Sequence, residues 1–209
     1  MKTLKHEKKN KKKDKIITYD YGKYIGETNE KDLPHGEGLL VRLNGEQYEG
    51  EFKNGKYDGH GKINDLSGRE YIGNFSDGKF NGKGKLVWKN EDSLNCYEGE
   101  FKNDRVHGNG KKTQTSIKVP TNEIERIGYF VDGAIKKGRW IVKSKGRVEG
   151  MYEGEFKNDN FHGNGIFTSY LDDNANYVKE GAWKNKCKWK NGKPTSSIFK
   201  SISQKLFGK

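Results

Sequence analysis

The chain is poor in almost everything from which an ordinary globular core is made. Of its 209 residues only 30% are hydrophobic, against 33% charged, and Leu, Ile and Val are scarce. That shortage argues against a thick two-layer core. There are two cysteines, Cys96 and Cys187, in separate parts of the chain. They could not bridge without bending it, so reduced thiols of a cytosolic or nuclear protein are expected, not a disulfide framework. No stretch approaches the roughly 20 apolar residues of a membrane-spanning helix. The Lys-rich start is followed by no apolar segment of a secretory signal. A soluble intracellular chain, or one peripheral to a membrane, is the expectation.

Glycine and aromatic residues take the place of the missing aliphatics. There are 28 glycines against 3 prolines, and 12% of the chain is aromatic. Each buried ring removes roughly 150–250 Å² from water, so the rings must carry most of the burial. A thin, elongated object suits such a composition.

The net charge of +12 is concentrated at the ends. Residues 1–15 sum to +6, residues 184–209 to +8, and the body between them to −2. The high isoelectric point thus describes the tails and is poor support for a nucleic-acid-binding body.

An aromatic-x-Gly-x-aromatic element recurs seven times, at intervals of 23 to 29 residues. Four copies are nearly the same string: YEGEFKNG from Tyr48, YIGNFSDG from Tyr71, YEGEFKND from Tyr97 and YEGEFKND from Tyr152. YIGET from Tyr24 lacks the second aromatic, and RIGYFVDG from Arg126 and KEGAW from Lys179 are degenerate. A fixed period of this length marks a repeat protein.

Strand alternation puts Tyr48, Gly50 and Phe52 on one face and Glu49 and Glu51 on the other. The glycine leaves a gap between two rings, into which a neighbouring unit's ring could lean. Asn54-Gly55 follows, the strongest short hairpin signal, because both central residues need positive φ. Asp77-Gly78, Asn103-Asp104, Asp132-Gly133 and Asn158-Asp159 hold the same slot. Gly-x-Gly then opens a return strand at Gly59/Gly61, Gly82/Gly84, Gly108/Gly110 and Gly163/Gly165. Ile63, Leu86 and Phe167 are the apolar residues of that strand on the ring side. Each repeat reads as a β-hairpin.

These residues resemble the MORN repeat (membrane occupation and recognition nexus), with a consensus similar to Y-x-G-x-F-x-x-G-x-x-x-G-x-G. The resemblance covers about residues 24–193, and inserts at 113–125 and 168–178 interrupt it. It implies an all-β, elongated, single-layer antiparallel meander of about seven hairpins. The expected divisions are a basic disordered tail over 1–18, the array over 19–193 and a short amphipathic basic helix over 194–209. MORN arrays occur in cytoskeletal and ciliary scaffolds and in membrane tethers. They also precede lipid-kinase and methyltransferase domains, for which no residues remain here.

No catalytic chemistry emerges from the residues. The Gly-x-Gly pairs never complete a phosphate-loop motif or precede a helix with a Walker lysine. His35, His60, His107 and His162 sit at or inside the Gly-x-Gly element, whose copies on successive hairpins are about 10 Å apart, too far to share a metal. The carboxylates Glu49, Glu51, Glu98, Glu100, Glu153 and Glu155 read as solvent-facing strand residues. Neither an enzyme, a cofactor nor a metal is expected.

Two candidate sites follow. One is the ladder of Tyr48, Phe52, Tyr71, Phe75, Tyr97, Phe101, Tyr152, Phe156 and Trp183, either purely structural or also a groove for partner proteins. Acidic neighbours argue against nucleic acid stacking on it. The other is the basic end: Lys184, Lys186, Lys188, Lys190 and Lys193, with Ile198, Phe199, Ile202 and Leu206 along one side of a helix. The lysines either protect an exposed sheet edge or attract an anionic surface. The helix would dock on protein or lie on a membrane. The expected function is a cytoplasmic, non-catalytic adaptor in a cytoskeletal or ciliary assembly. The alternative is a peripheral tether for anionic phospholipids or phosphoinositides. Self-association through end hairpins is a further option.

Overall fold

In the computed structural model, residues 14–171 and 183–195 are described, with the backbone alone at 183–185 and 194. They form one fifteen-stranded antiparallel sheet in which spatial order equals chain order. The strands are β1 (Lys15–Tyr19), β2 (Gly22–Thr28), β3 (Pro34–Arg42), β4 (Gln47–Lys53), β5 (Lys56–Asn64), β6 (Glu70–Ser76), β7 (Lys79–Lys89) and β8 (Ser93–Lys102). They continue as β9 (Arg105–Ser116), β10 (Asn122–Val131), β11 (Ala134–Ser144), β12 (Arg147–Lys157), β13 (Asn160–Ser169), β14 (Trp183–Lys190) and the two-residue β15 (Lys193–Pro194). Among the described residues there is no helix.

The turns follow from the sequence. Asn54 and Gly55 take φ of 50° and 85°, and Asp77 and Gly78 take 52° and 81°. Asn191-Gly192 closes β14–β15 in the same left-handed conformation. Each turn also ties its hairpin to the preceding one. The Gly55 amide donates to the Pro34 carbonyl at 2.8 Å, Gly78 to Tyr57 at 2.8 Å and Gly133 to Val106 at 2.8 Å.

A single row of glycines crosses the sheet. Gly26, Gly38, Gly50, Gly61, Gly73 and Gly84 are successive register partners, followed by Gly99, Gly110, Gly128, Gly138, Gly154 and Gly165. Close approach is the reason at Gly61: a Cβ there would stand 2.4 Å from the Tyr48 hydroxyl. The gap above the middle glycine is thus filled by the repeat's own tyrosine ring. That ring lies along its strand and donates from its hydroxyl to the carbonyl three residues on, as Tyr48 does to Glu51 at 2.8 Å.

The return strand bends where the register slips between Gly50 and Phe52. The bend carries Tyr57 over Tyr48, stacked at 3.7 Å and 11°. Tyr71–Phe80 and Tyr152–Phe161 repeat the arrangement at 3.8 and 4.0 Å. Tyr48, Tyr71 and Tyr97 also meet their own phenylalanine and the next repeat's edge-on, as Tyr71 meets Phe75 and Phe101, both at 5.1 Å. One backbone layer therefore supports a two-deep layer of rings, and this is the core.

Four expectations about organisation are revised. Residues 15–18, assigned to the basic tail by charge, belong to β1, whose Ile17 pairs with Tyr24. Residues 113–125 mainly lengthen β9 and β10, leaving only a short loop at 117–121. The last repeat begins later than KEGAW suggests. Trp183 lies opposite Ser169, while Cys187 pairs with Gly165 in the glycine row and Trp189 faces Gly163 in the second aromatic slot. Finally, Pro194 belongs to β15, and the Thr195 amide and hydroxyl both donate to the Lys188 carbonyl. The remainder of the expected helix, 196–209, and residues 1–13 lie outside the described residues.

Candidate binding faces

Alternation gives the sheet a ring face and an opposite face. On the ring face the expected ladder is packed shut. Tyr48, Tyr71, Tyr97 and Tyr152 are fully buried, and Phe52, Phe75, Phe101 and Phe156 are 3–5% exposed. Their faces are occupied by Tyr57, Phe80 and Phe161, and by Val106 and Ile135 at the corresponding positions of the fourth and fifth repeats. These rings therefore build the array and offer no accessible stripe. Burial pushes the phenol of Tyr24 up to about 12, against smaller opposing effects, and those of Tyr97 and Tyr152 likewise to about 12. The rings remain neutral hydrogen-bond donors at working pH. Trp183 is placed by register alone, its side chain lying outside the described residues.

The opposite face is open. Between β5 and β10 it carries a shallow depression of about 920 Å³, floored by Gly73, Gly84, Gly99, Gly110 and Gly128. Ile72, Lys85, Glu98, Lys111 and Ile127 form one wall, and Asn74, Lys83, Glu100 and Asn109 the other. Ile72 is 38% exposed there. Tyr129, on the same face, is 46% exposed. The depression lies between two rows of outward-pointing residues, over strand positions whose side-chain direction is the ring face.

Not every carboxylate on this face is free. Glu51 accepts from the His60 amide at 2.8 Å, and Glu100 from the Asn109 amide at 3.2 Å. They cover the bends at Gly59 and Gly108, whose φ values are 83° and 63°. A Cβ on Gly163 would likewise collide with the Glu155 carboxylate. These three were read as simple solvent-facing residues, and the structure gives them a bend-closing position.

A buried ionic cluster lies at one end of the face. Glu125, 4% exposed, pairs with Lys111 and, at 2.9 Å, with Lys143, which also meets Glu123 at 3.2 Å. Burial pushes the Glu125 carboxyl up, but hydrogen bonds and charge from the two lysines outweigh it and hold the group below its ordinary value.

At the basic end, Lys186, Lys188, Lys190 and Lys193 are exposed. Register places Lys186 opposite Ile166 and Lys188 opposite Asn164, so both belong to the open face. Lys184 is placed by backbone only, and Ile198, Phe199, Ile202 and Leu206 lie outside the described residues. Cys96 and Cys187 are free thiols whose burial pushes them up. Among the described residues, no three His, Cys, Asp or Glu side chains converge as metal ligands.

Sequence reasoning missed Tyr57, Phe80 and Phe161. Their signal was present as an apolar residue two positions beyond each turn: Tyr57, Phe80, Val106, Ile135 and Phe161.

A family model described as MORN repeat matches residues 48–63, 71–93, 97–116 and 152–170. Those segments contain the four well-formed strings, while the repeats at Tyr24 and Arg126 and the last hairpin fall outside them. No curated protein matches the chain.

Proposed function

Because the chain belongs to the MORN-repeat family over residues 48–170, a family of non-catalytic interaction scaffolds, we propose that it is a cytoplasmic adaptor holding partner proteins on its glycine-floored face in a cytoskeletal or ciliary assembly. The observation that carries this reading is the contrast between the two faces. The ring face has spent its apolar surface internally, whereas the open face keeps Ile72 and Ile127 beside a depression large enough for a partner's side chains. Apolar anchors set in a polar rim are what protein interfaces use.

The double replacement of Ile72 and Ile127 by Glu tests it. Both side chains point away from the core, so the unfolding midpoint should stay close to that of the parent. Recovery of the chain in the detergent-insoluble cytoskeleton should fall at least tenfold. Unchanged recovery of the folded variant would remove the open face from the reading.

A membrane reading is favoured by one observation, the exposed Lys186, Lys188, Lys190 and Lys193. Each lysine near an anionic bilayer contributes about 1 kcal/mol, screened by salt. Co-sedimentation with phosphatidylserine vesicles at low salt, lost at 0.5 M salt and on replacing these four lysines by Gln, would support it. Retention by the folded substituted chain would argue against it.

A further inference from the structure

Between β7 and β12 the row at the tyrosine positions of the ring face is aromatic or apolar except where Lys112 and Arg126 meet. Its successive register partners are Leu86, Tyr97, Lys112, Arg126, Trp140 and Tyr152. Lys112 on β9 and Arg126 on β10 stand directly opposite each other, where like charges oppose strand pairing. Both are half-buried. Burial pushes both groups down, and the Arg126 charge lowers Lys112 further.

Neither cation has a carboxylate within ion-pair reach among the described residues. Asp159 is the one acid whose charge is felt by both. Its Oδ1 accepts instead from the Ile135 amide at 3.3 Å. The Arg126 Nε is buried with no hydrogen-bond partner. The Lys112 ammonium lies 5.5 Å from the centre of the Trp88 ring. Five other repeats put Tyr24, Tyr48, Tyr71, Tyr97 and Tyr152 at the position of Arg126, so the architecture is satisfied by an aromatic ring there. An unpaired guanidinium beside an ammonium is costly, and an anion between them removes the cost.

We infer that Arg126 and Lys112 form a binding site for a small phosphate-class oxyanion at the repeat whose tyrosine is replaced by arginine. The side of a guanidinium presents Nε–H and a neighbouring Nη–H in a planar fork matched to two oxygens. The Lys112 ammonium adds a donor from the facing strand. A tetrahedral phosphate has a third oxygen to accept it and carries more negative charge than a carboxylate to set against the two cations. The position on the packed ring face suits a free ion and not a bilayer surface.

The test uses the full chain in sodium phosphate and in sodium chloride of equal ionic strength and pH. At ten times the half-saturating phosphate concentration the thermal midpoint should rise by roughly 3–6 °C. Tryptophan fluorescence should titrate in parallel, because Trp88 and Trp140 flank the site. R126Y restores the consensus residue, and K112Q keeps Arg126. Each should weaken the phosphate response at least tenfold while remaining folded by circular dichroism, and K112Q carries the test if R126Y does not fold. Identical midpoints in the two salts, or a response in either folded variant equal to the parent's, would overturn the site. A response to phosphatidic acid vesicles through these residues, with none to soluble phosphate, would overturn it as well.

Discussion

Replacing Tyr71 by Ala should cost about 3–5 kcal/mol of stability, the range for removing a large ring from a closed core. Tyr71 is fully buried, stacked on Phe80 at 3.8 Å and met edge-on by Phe75 and Phe101 at 5.1 Å. Its hydroxyl donates to the Asn74 carbonyl at 2.8 Å. No neighbour can collapse into the space without breaking one of those ring pairs, since each already serves two repeats. In a linear array stability is a sum of repeat and interface terms, and Phe101 belongs to the following repeat. The loss should therefore reach the boundary with β8 and β9. Denaturant unfolding followed by circular dichroism measures the effect. A loss below about 1 kcal/mol would mean that the ring is not the wedge described here.

Gly84→Ala should be nearly as damaging, although it adds one methyl group. A Cβ at Gly84 would stand 2.4 Å from the Tyr71 hydroxyl oxygen and 2.6 Å from two ring carbons. The ring cannot swing aside because Phe80 is stacked on it. Overpacking costs about 1–3 kcal/mol and loss of the hydroxyl's bond about 1 more, so a total of about 2–4 kcal/mol is expected. Two comparisons separate this steric cause from a general intolerance of alanine. Gly78→Ala, at a turn with open space around it and φ of 81°, should cost only the smaller price of a left-handed backbone, about 1 kcal/mol. Tyr71→Phe removes the atom nearest to the new methyl group and should make the double substitution less harmful than the sum of the singles. Strict additivity would contradict the contact.

Most of the architecture was legible in the chain because it rests on local chemistry. Asn54-Gly55 and its counterparts need positive φ, and alternation fixes which side Tyr48 and Phe52 share. Those two facts define the hairpin and its repetition. What was not legible depended on contacts between strands. The closure of the ladder comes from Tyr57, Phe80 and Phe161 arriving over it from the bent return strand, and the bend depends on a register slip that no single string displays. The last repeat was misplaced by six residues because Gly181 and Trp183 imitate the motif, whereas the pairing partner of Gly165 is Cys187. The position of β1 was obscured by the lysines preceding it. Glu51 and Glu100 alternate like exposed residues, and only the three-dimensional bend brings backbone amides to them.

The same reasoning relocates the candidate interface. A ladder of rings in a single sheet suggests a binding stripe only while one backbone layer is taken to mean one ring layer. With two ring layers the apolar surface is closed, and the open side is the one floored by glycine. Degeneracy then gains meaning: Arg126 departs from the repeat on the closed face, where an aromatic would serve the fold better.

Hydroxyl-radical footprinting of the folded chain, read residue by residue, tests the closure of the ring face most directly. Tyr21 and Tyr129, 49% and 46% exposed, should be modified readily, while Tyr48, Tyr71, Tyr97 and Tyr152, fully buried, should be protected until the chain unfolds. Comparable modification of the two groups under native conditions would contradict the account.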